Sequence, residues 1–259
     1  MPRLSANLGF LWTELSLPDA IRAAAKAGFE AVECHWPYDV PVSDVQSALA
    51  EAGVPMLGLN TRRGDVAGGE NGLAALPGRE ADARAAIDEA IAYATATATG
   101  NIHVMAGFAA GGEAHETFAA NLTYACDVAA GQGITILIEP LNRYDAPGYF
   151  LSDSDQAVEI INAVGRPNLK LMFDCYHLQI MQGDLSRRLQ NLLPHIGHVQ
   201  IAAVPDRGEP DRGEVDYRHI LTHLDAIGYD GYVGAEYKPR TTTEEGLGWM
   251  AQLKAQGSI

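Results

Sequence analysis

The chain has 259 residues, of which 47% are hydrophobic and 20% charged, and its formal net charge at pH 7 is −15. This length and apolar content exclude an intrinsically disordered chain and are typical of a folded protein with a large core. The negative charge argues against binding to nucleic acid or to an anionic membrane, because both need a basic surface on the protein.

Short apolar runs alternate with amphipathic stretches along the whole chain. The apolar runs are predicted as eight strands: Leu4–Phe10, Phe29–Glu33, Val54–Asn60, Ile102–Met105, Ile134–Glu139, Leu169–Asp174, His198–Ile201 and Tyr232–Glu236. The amphipathic stretches are predicted as helices: Pro18–Ala27, Val42–Ala52, Glu80–Ala98, Glu113–Gln132, Ser154–Val164, Leu185–Leu193, Tyr217–Ile227 and Thr243–Ala255. The Gly-rich connection Thr61–Gly78 is too long for an ordinary loop and is a candidate lid or binding loop.

Strands that alternate with helices indicate a parallel sheet. Eight such units in a chain of roughly 250 residues favour a closed barrel over an open doubly wound sheet. No Gly-x-Gly-x-x-Gly motif follows the first strand, which argues against dinucleotide binding. No linker or change in composition divides the chain. The sequence therefore predicts one α/β domain over residues 1–259, a (β/α)8 TIM barrel with its active site at the C-terminal ends of strands 5 to 8.

The fifth predicted strand ends in an acidic residue. The run Ile-Thr-Ile-Leu-Ile before Glu139 has no polar alternation, which is typical of a strand buried on both faces. Pro140 cannot donate a hydrogen bond to a sheet, so it ends the strand. Glu139 therefore lies at the mouth of a buried strand, where a bare carboxylate is costly unless it is paired, protonated or bound to a metal.

The next three predicted strands also end in oxygen-bearing side chains, those of Asp174, Gln200 and Glu236. Because strands 5 to 8 are neighbours in a barrel, we expect these groups to converge on Glu139. Three carboxylates and an amide oxygen would repel one another without a cation, and all-oxygen ligation suits Mg²⁺ or Mn²⁺ better than Zn²⁺. The alternative is that each acidic residue only starts a loop or caps the next helix.

Other polar residues are expected near the same mouth. His177 follows Asp174 by three residues and could contact substrate, Arg207 could bind a carboxylate in a bidentate fork, and Lys238 could neutralise an enediolate. For each of them a structural or surface role stays open. His35 and His103, at the ends of strands 2 and 4, could line the pocket, although packing in the core is the favoured interpretation.

Several features outside the predicted mouth carry no chemistry. His219 and His223 have a helical i, i+4 spacing, but their helix is peripheral and no metalloprotease glutamate lies between them, so packed or solvated histidines are favoured. The cysteines Cys34, Cys126 and Cys175 lack metal-type spacing and indicate reduced thiols in a cytoplasmic protein. Neither a signal peptide nor a run of about 20 apolar residues that could span a membrane is visible.

Several motifs resemble the hydroxypyruvate isomerase family, which belongs to the xylose-isomerase-like TIM barrel sugar isomerases and epimerases. They are Ile-Glu-Pro-Leu-Asn (138–142), Pro-Gly-Tyr-Phe-Leu (147–151), Phe-Asp-Cys-Tyr-His (173–177), His-Val-Gln-Ile-Ala (198–202) and Gly-Glu-x-Asp-Tyr (213–217), with shorter matches at 6–8 and 72–79. The blocks at 173–177 and 198–202 are the most specific. The resemblance covers nearly the whole chain.

The resemblance implies an isomerase without an organic cofactor that interconverts hydroxypyruvate and tartronate semialdehyde (2-hydroxy-3-oxopropanoate). It places Glu139 and Glu236 on the family's proton donor and acceptor pair, and it places the same two residues with Asp174 and Gln200 on the family's metal positions. The implied reaction passes through an enediolate that a divalent metal stabilises. The implied partner is a small anionic hydroxy-oxo acid.

Two features bear on the choice of substrate. The related epimerases generally have histidine where this chain has Gln200, which favours the isomerase branch. The family often has Gly-Asp-Trp after strand 3, whereas this chain has Gly64-Asp65-Val66. A 2-oxo-tetronate isomerase and a ketose 3-epimerase therefore stay open, as does a barrel that only binds a sugar acid. A DNA-repair endonuclease of the same barrel type also stays open but is disfavoured. It would need a histidine-rich zinc site and a basic face, whereas this chain has Gln200 at strand 7 and a net charge of −15. A homo-oligomer is compatible with the sequence.

Overall fold

The computed structural model describes residues 2–255, 257 and 259, and it contains eight strands in one parallel sheet. The strands are β1 Arg3–Asn7, β2 Ala31–Glu33, β3 Gly58–Asn60, β4 Asn101–His103, β5 Thr135–Ile138, β6 Leu169–Asp174, β7 Ile196–Ile201 and β8 Tyr232–Ala235. Their spatial order is β2-β1-β8-β7-β6-β5-β4-β3. A parallel bridge between Val32 of β2 and Met56, just before β3, closes the barrel. The predicted TIM barrel is confirmed.

Helices follow the strands and cover the outside of the barrel. They are α1 Leu17–Ala27, α2 Val42–Ala52, α3 Glu80–Thr97, α4 Gly112–Ala130, α5 Ser154–Val164, α6 Cys175–Met181, α7 Leu185–Leu192, α8 Tyr217–Ala226, α9 Thr243–Gly246 and α10 Gly248–Ala255. No helix in the described part of the chain is long and apolar enough to cross a membrane. The three cysteines are buried and free.

The structure differs from the sequence-based prediction most clearly at four places. The first strand ends at Asn7 because the chain turns there, with the Leu11 amide donating to the Asn7 carbonyl at 3.0 Å. The third strand begins only at Gly58, since Pro55 has no amide to donate. The predicted closing helix is broken into α9 and α10 at two glycines, which have low helix propensity.

The fourth difference is helix α6, which the sequence pattern does not predict. It follows β6 directly, without a loop, because Asp174 is both the last residue of the strand and the N-cap of the helix. The Asp174 Oδ1 atom accepts a hydrogen bond from the backbone amide of Tyr176 at 2.8 Å. This cap turns the chain immediately and brings His177 back over the mouth of the barrel.

Candidate active site

The structure brings the four predicted strand-end residues to one mouth of the barrel. Glu139 follows β5, Asp174 ends β6, Gln200 lies in β7 and Glu236 follows β8. The strands are neighbours in the order β8-β7-β6-β5, and Asp174 is in register with Gln200. All four residues are buried, with exposed fractions of 6%, 1%, 1% and 5% in chain order. Three buried carboxylic acids therefore share one small volume.

Asp174 serves two purposes at once. While its Oδ1 atom caps α6, its Oδ2 atom lies 3.6 Å from His177 Nε2 and 3.5 Å from Arg207 Nη2. The interpretation as a helix cap is thus correct for Oδ1, and the role of Oδ2 as a metal ligand stays a prediction. Burial raises the pKa of Asp174 to about 7, and the Arg207 charge opposes this rise.

Arg207 binds the site's own carboxylates. Its Nη2 atom lies 2.6 Å from Glu236 Oε2 as well as 3.5 Å from Asp174 Oδ2, and its Nη1 atom lies 3.3 Å from Asp145 Oδ2. These contacts lie within the protein, and the bidentate contact of Arg207 with a substrate carboxylate stays a prediction. The guanidinium therefore brings positive charge to Glu236 and Asp174, two of the predicted metal ligands.

Glu236 is held in its ionised form. Besides Arg207 on Oε2, its Oε1 atom accepts hydrogen bonds from Asn7 Nδ2 at 2.8 Å and from His35 Nε2 at 3.0 Å. Burial alone raises the pKa of this carboxyl, but the Arg207 charge and the His35 contact outweigh burial and lower the pKa to about 2. The structure thus gives Glu236 an unusually stable negative charge.

Glu139 is in the opposite situation. Its Oε2 atom lies 3.4 Å from His103 Nδ1, whereas its Oε1 atom has no hydrogen-bond partner in the described structure. Burial raises the pKa of Glu139 well above 4.5, and the nearby charges of Glu236 and Asp174 raise it further. Environments that push two carboxyl pKa values apart are typical of an acid and base pair.

His177 presents an N–H group to these carboxylates. Its Nδ1 atom accepts from the backbone amide of Asn142 at 3.0 Å and from the Asn142 side-chain amide at 2.8 Å. The Asn142 Oδ1 atom accepts from the Tyr144 and Asp145 amides, which fixes the orientation of that side chain. Burial lowers the pKa of His177 well below 6.5, so the imidazole is neutral and its proton is on Nε2.

The donor set fits a divalent cation. Ligand atoms of Glu139, Asp174 and His177 lie within 4.8 Å of one another, so this group can hold a metal ion. Because His177 Nε2 carries a proton, the carboxylate oxygens are the better ligands. Two buried oxygens, Glu139 Oε1 and Gln200 Oε1, have no hydrogen-bond partner in the described structure. Buried oxygens without partners are costly, and a hard cation would satisfy both.

A cavity of about 320 Å³ is lined by Glu139 and Glu236 at the mouth of the barrel. Lys238 is exposed at its rim, with Nζ 5.8 Å from the centre of the Phe10 ring. Arg63, from the long connection after β3, also lines the cavity and stacks on the Trp36 ring at 4.0 Å. Within the described residues neither cation has an ion-pair partner. The cavity therefore offers positive charge to an anionic ligand, although the chain as a whole is acidic.

Sequence reasoning missed part of the site. Asn7 and Glu33 end β1 and β2, where Asn7 contacts Glu236 and Glu33 contacts Gln200, so the strand-end rule applied to strands 5 to 8 would have found them on the first strands too. Core packing was the favoured role for His35 and His103, but both contact a site glutamate. The structure leaves His219 away from the site, where it stacks on its neighbour in α8 and contacts Ser186 in α7.

The pKa of Glu139 predicts a pH effect on stability in the absence of metal. As pH rises above 4.5, the folded protein keeps a proton on Glu139 that the unfolded chain has released, so stability falls toward neutral pH. Glu139→Gln cannot ionise, and we expect its Tm advantage over wild type to grow with pH. Thermal unfolding in chelator, from acidic to neutral pH, measures this.

The control for this experiment is Glu113→Gln, which changes an exposed glutamate in α4 and should keep the wild-type pH dependence. A Tm difference between Glu139→Gln and wild type that is the same at every pH would show that Glu139 has an ordinary pKa.

Comparison with known proteins identifies the family. Residues 21–253 match the family model described as xylose isomerase-like TIM barrel. This chain belongs to the xylose isomerase-like TIM barrel family. A 2-oxo-tetronate isomerase from Cupriavidus necator is 46% identical over 254 residues, which cover 96% of this chain and 98% of the relative. A hydroxypyruvate isomerase from Escherichia coli is 40% identical over 254 residues, with coverage of 96% and 98%.

Among solved structures, a Brucella melitensis protein described as an AP endonuclease of family 2 superposes with a TM-score of 0.94. It is 42% identical and covers 97% of this chain and 99% of its own. Membership in the xylose isomerase-like family agrees with the fold and with the resemblance seen in the sequence.

Proposed function

We propose that this chain is a metal-dependent isomerase that interconverts hydroxypyruvate and tartronate semialdehyde. The observation that carries the proposal is the pair of buried glutamates, Glu139 and Glu236, which lie at one mouth of the barrel beside Asp174 and Gln200. An isomerisation of this kind moves one proton between adjacent carbons, so it needs one group ready to accept a proton and one ready to donate it.

Each of these glutamates is assigned one proton transfer in the proposed reaction. The ionised Glu236 accepts the proton from C3 of hydroxypyruvate, and the C–H electrons form the C2–C3 double bond of an enediolate. The protonated Glu139 then donates to C2, while the oxygen on C3 becomes the aldehyde oxygen and its proton passes to the oxygen on C2. The N–H of His177 is placed to donate a hydrogen bond to an enediolate oxygen, which stabilises the charge that develops there.

Glu139, Asp174, Gln200 and Glu236 would hold the divalent cation, with Mg²⁺ or Mn²⁺ suited to their oxygen atoms. When bound, such a cation supplies Lewis-acid polarisation of substrate oxygens. The two oxygens that lack partners support this assignment. A glutamate with both roles would bind through one oxygen and transfer the proton with the other.

A second substrate is supported by a specific finding, the 46% identity to a 2-oxo-tetronate isomerase. Hydroxypyruvate and 2-oxo-tetronate share a carboxylate, a 2-oxo group and a hydroxyl on C3, so the same proton transfer serves both. They differ beyond C3, where the cavity above the carboxylates would decide between them.

The test is product analysis by NMR on a panel that contains both acids, a ketose and a ketose 3-epimer. Chelator-treated protein should be inactive, and Mn²⁺ or Mg²⁺ should restore isomerisation of one or both acids. Epimerisation of a ketose without isomerisation of the acids would favour the epimerase alternative. Absence of any turnover with metal, together with tight binding of the acids, would show a binding protein.

The unpaired cations predict the mode of carboxylate binding. Lys238→Met and Arg63→Met should each raise KM about 10- to 100-fold with a smaller change in kcat, because each removes one charged hydrogen bond to the substrate carboxylate. The matched control is Arg62→Met, since Arg62 is already paired with Glu89 and Asp39. Steady-state kinetics measure the effect. An unchanged KM in both variants would exclude these cations as the carboxylate site.

A further inference from the structure

A fourth buried carboxylate, that of Glu33, lies beside the proposed metal ligands without being one of them. It ends β2, it is 4% exposed, and it accepts hydrogen bonds from three directions. Ser5 Oγ donates to Oε1 at 2.9 Å, and His198 Nε2 lies 3.2 and 3.1 Å from Oε1 and Oε2. Gln200 Nε2 donates to Oε2 at 2.9 Å. Glu33 is therefore fixed in place by β1 and β7.

The contact with Gln200 decides which end of the amide faces the mouth. A glutamine side chain has a donor end and an acceptor end, and only the oxygen can bind a cation. A carboxylate accepts hydrogen bonds, so the NH₂ group of Gln200 must be the end that faces Glu33. The oxygen is then turned away from Glu33, and it is the Gln200 atom left buried without a partner.

The backbone leaves room for this contact. A Cβ atom on Gly234 of β8 would lie 2.1 Å from Glu33 Oε1 and 3.0 Å from Gln200 Cγ. Any larger residue at position 234 would therefore displace the Glu33 carboxylate. Gly234 thus leaves space for the Glu33 carboxylate, and the donors Ser5, His198 and Gln200 hold it there.

We propose that Glu33 is a positioning residue that holds the Gln200 amide with its oxygen directed at the proposed cation site. The proposal rests on the proposed function, since it requires that the site bind a divalent cation. Groups that orient a metal ligand typically change metal affinity by about 10- to 100-fold when they are removed. Glu33 itself touches neither substrate nor metal in this scheme.

The experiment is titration calorimetry of Mn²⁺ into the chelator-treated full chain, with thermal unfolding to show that each variant is folded. Glu33→Met should weaken Mn²⁺ binding about tenfold or more, because the Gln200 amide is then free to turn its NH₂ group toward the cation. In a Gln200→Ala background, Glu33→Met should cause no further loss, since no amide remains to be oriented.

Glu209→Met is the matched control. Glu209 is also 4% exposed and ion-paired, to Arg240 at 2.8 Å, but it lies outside the mouth. Its replacement should leave Mn²⁺ affinity within about twofold of wild type. Gly234→Ala provides a second variant that displaces the Glu33 carboxylate without removing it, and it should also weaken Mn²⁺ binding if Glu33→Met does not fold.

The outcomes separate two failures. Unchanged Mn²⁺ affinity in Glu33→Met, or in Gly234→Ala where Glu33→Met does not fold, overturns the role of Glu33 and leaves the proposed function standing. An equal loss from Glu33→Met with and without Gln200 also overturns it, because Glu33 would then act by its charge alone. Absence of Mn²⁺ binding to the wild-type chain overturns the metal site and this inference together.

Discussion

Glutamine in place of Glu139 or Glu236 is expected to lower kcat by about 10²–10⁴-fold, the usual contribution of a positioned acid or base. Each substitution keeps an oxygen that can bind a cation but removes the group that exchanges a proton. Both variants should also lose exchange of solvent deuterium into the substrate, which NMR in D₂O measures alongside turnover. The loss of exchange distinguishes a missing proton transfer from slow product release.

Metal occupancy must be equal for this comparison, so Mn²⁺ binding is measured for each variant. The control Glu209→Gln changes a buried glutamate outside the mouth and should keep wild-type kcat. If either Glu139→Gln or Glu236→Gln retains wild-type exchange and turnover, the scheme with two glutamates is wrong.

The second large effect concerns Arg207, whose guanidinium lies between Glu236 and Asp174. Its side chain is only 11% exposed. Removal of one partner from a buried ion pair leaves an uncompensated charge and costs about 3 kcal/mol or more. Arg207→Met should therefore lower the free energy of unfolding of the metal-free protein by about 3 kcal/mol. Saturating Mn²⁺ should recover much of this loss, because the cation neutralises the same carboxylates.

Denaturant unfolding with and without Mn²⁺ measures the loss in free energy of unfolding and its recovery by the cation. The matched control is Arg240→Met, since Arg240 pairs with Asp206 and Glu209 away from the mouth. Its loss of stability should not depend on Mn²⁺. An equally unstable Arg207→Met protein with and without Mn²⁺ would show that guanidinium and metal do not act on the same charges.

The sequence predicted the fold and the residues that strands 5 to 8 bring to the mouth, because both depend on short sequence patterns. A buried run that ends in a polar residue places Glu139 by itself, and barrel closure then brings Asp174 beside Gln200. The interpretation of Glu139 and Glu236 as unlike members of a pair needed the structure. Their pKa values depend on Arg207, which contacts Glu236 29 residues later in the chain. Arg207 lies in a loop, and no local sequence pattern predicts the path of that loop.

Contacts between distant segments account for the remaining gaps. Asn142, 35 residues earlier in the chain, determines which nitrogen of His177 carries the proton. The sequence around either residue does not predict this contact. Glu33 looks like an ordinary strand end until its hydrogen bond to Gln200, 167 residues later, is known. Helix α6 was missed for the opposite reason, because a seven-residue helix directly after a strand leaves no loop signal.

The shared use of Asp174 has a consequence for how this site can change. Since one oxygen starts helix α6 and the other faces the mouth, a substitution at position 174 alters the proposed ligand and also loosens the turn that carries His177. A substitution of Asp174 therefore cannot change the proposed ligand without also moving His177. Substitutions in the long connection after β3 can therefore change substrate choice more simply. Arg63 of that connection lines the cavity, and none of the proposed metal ligands lies in it.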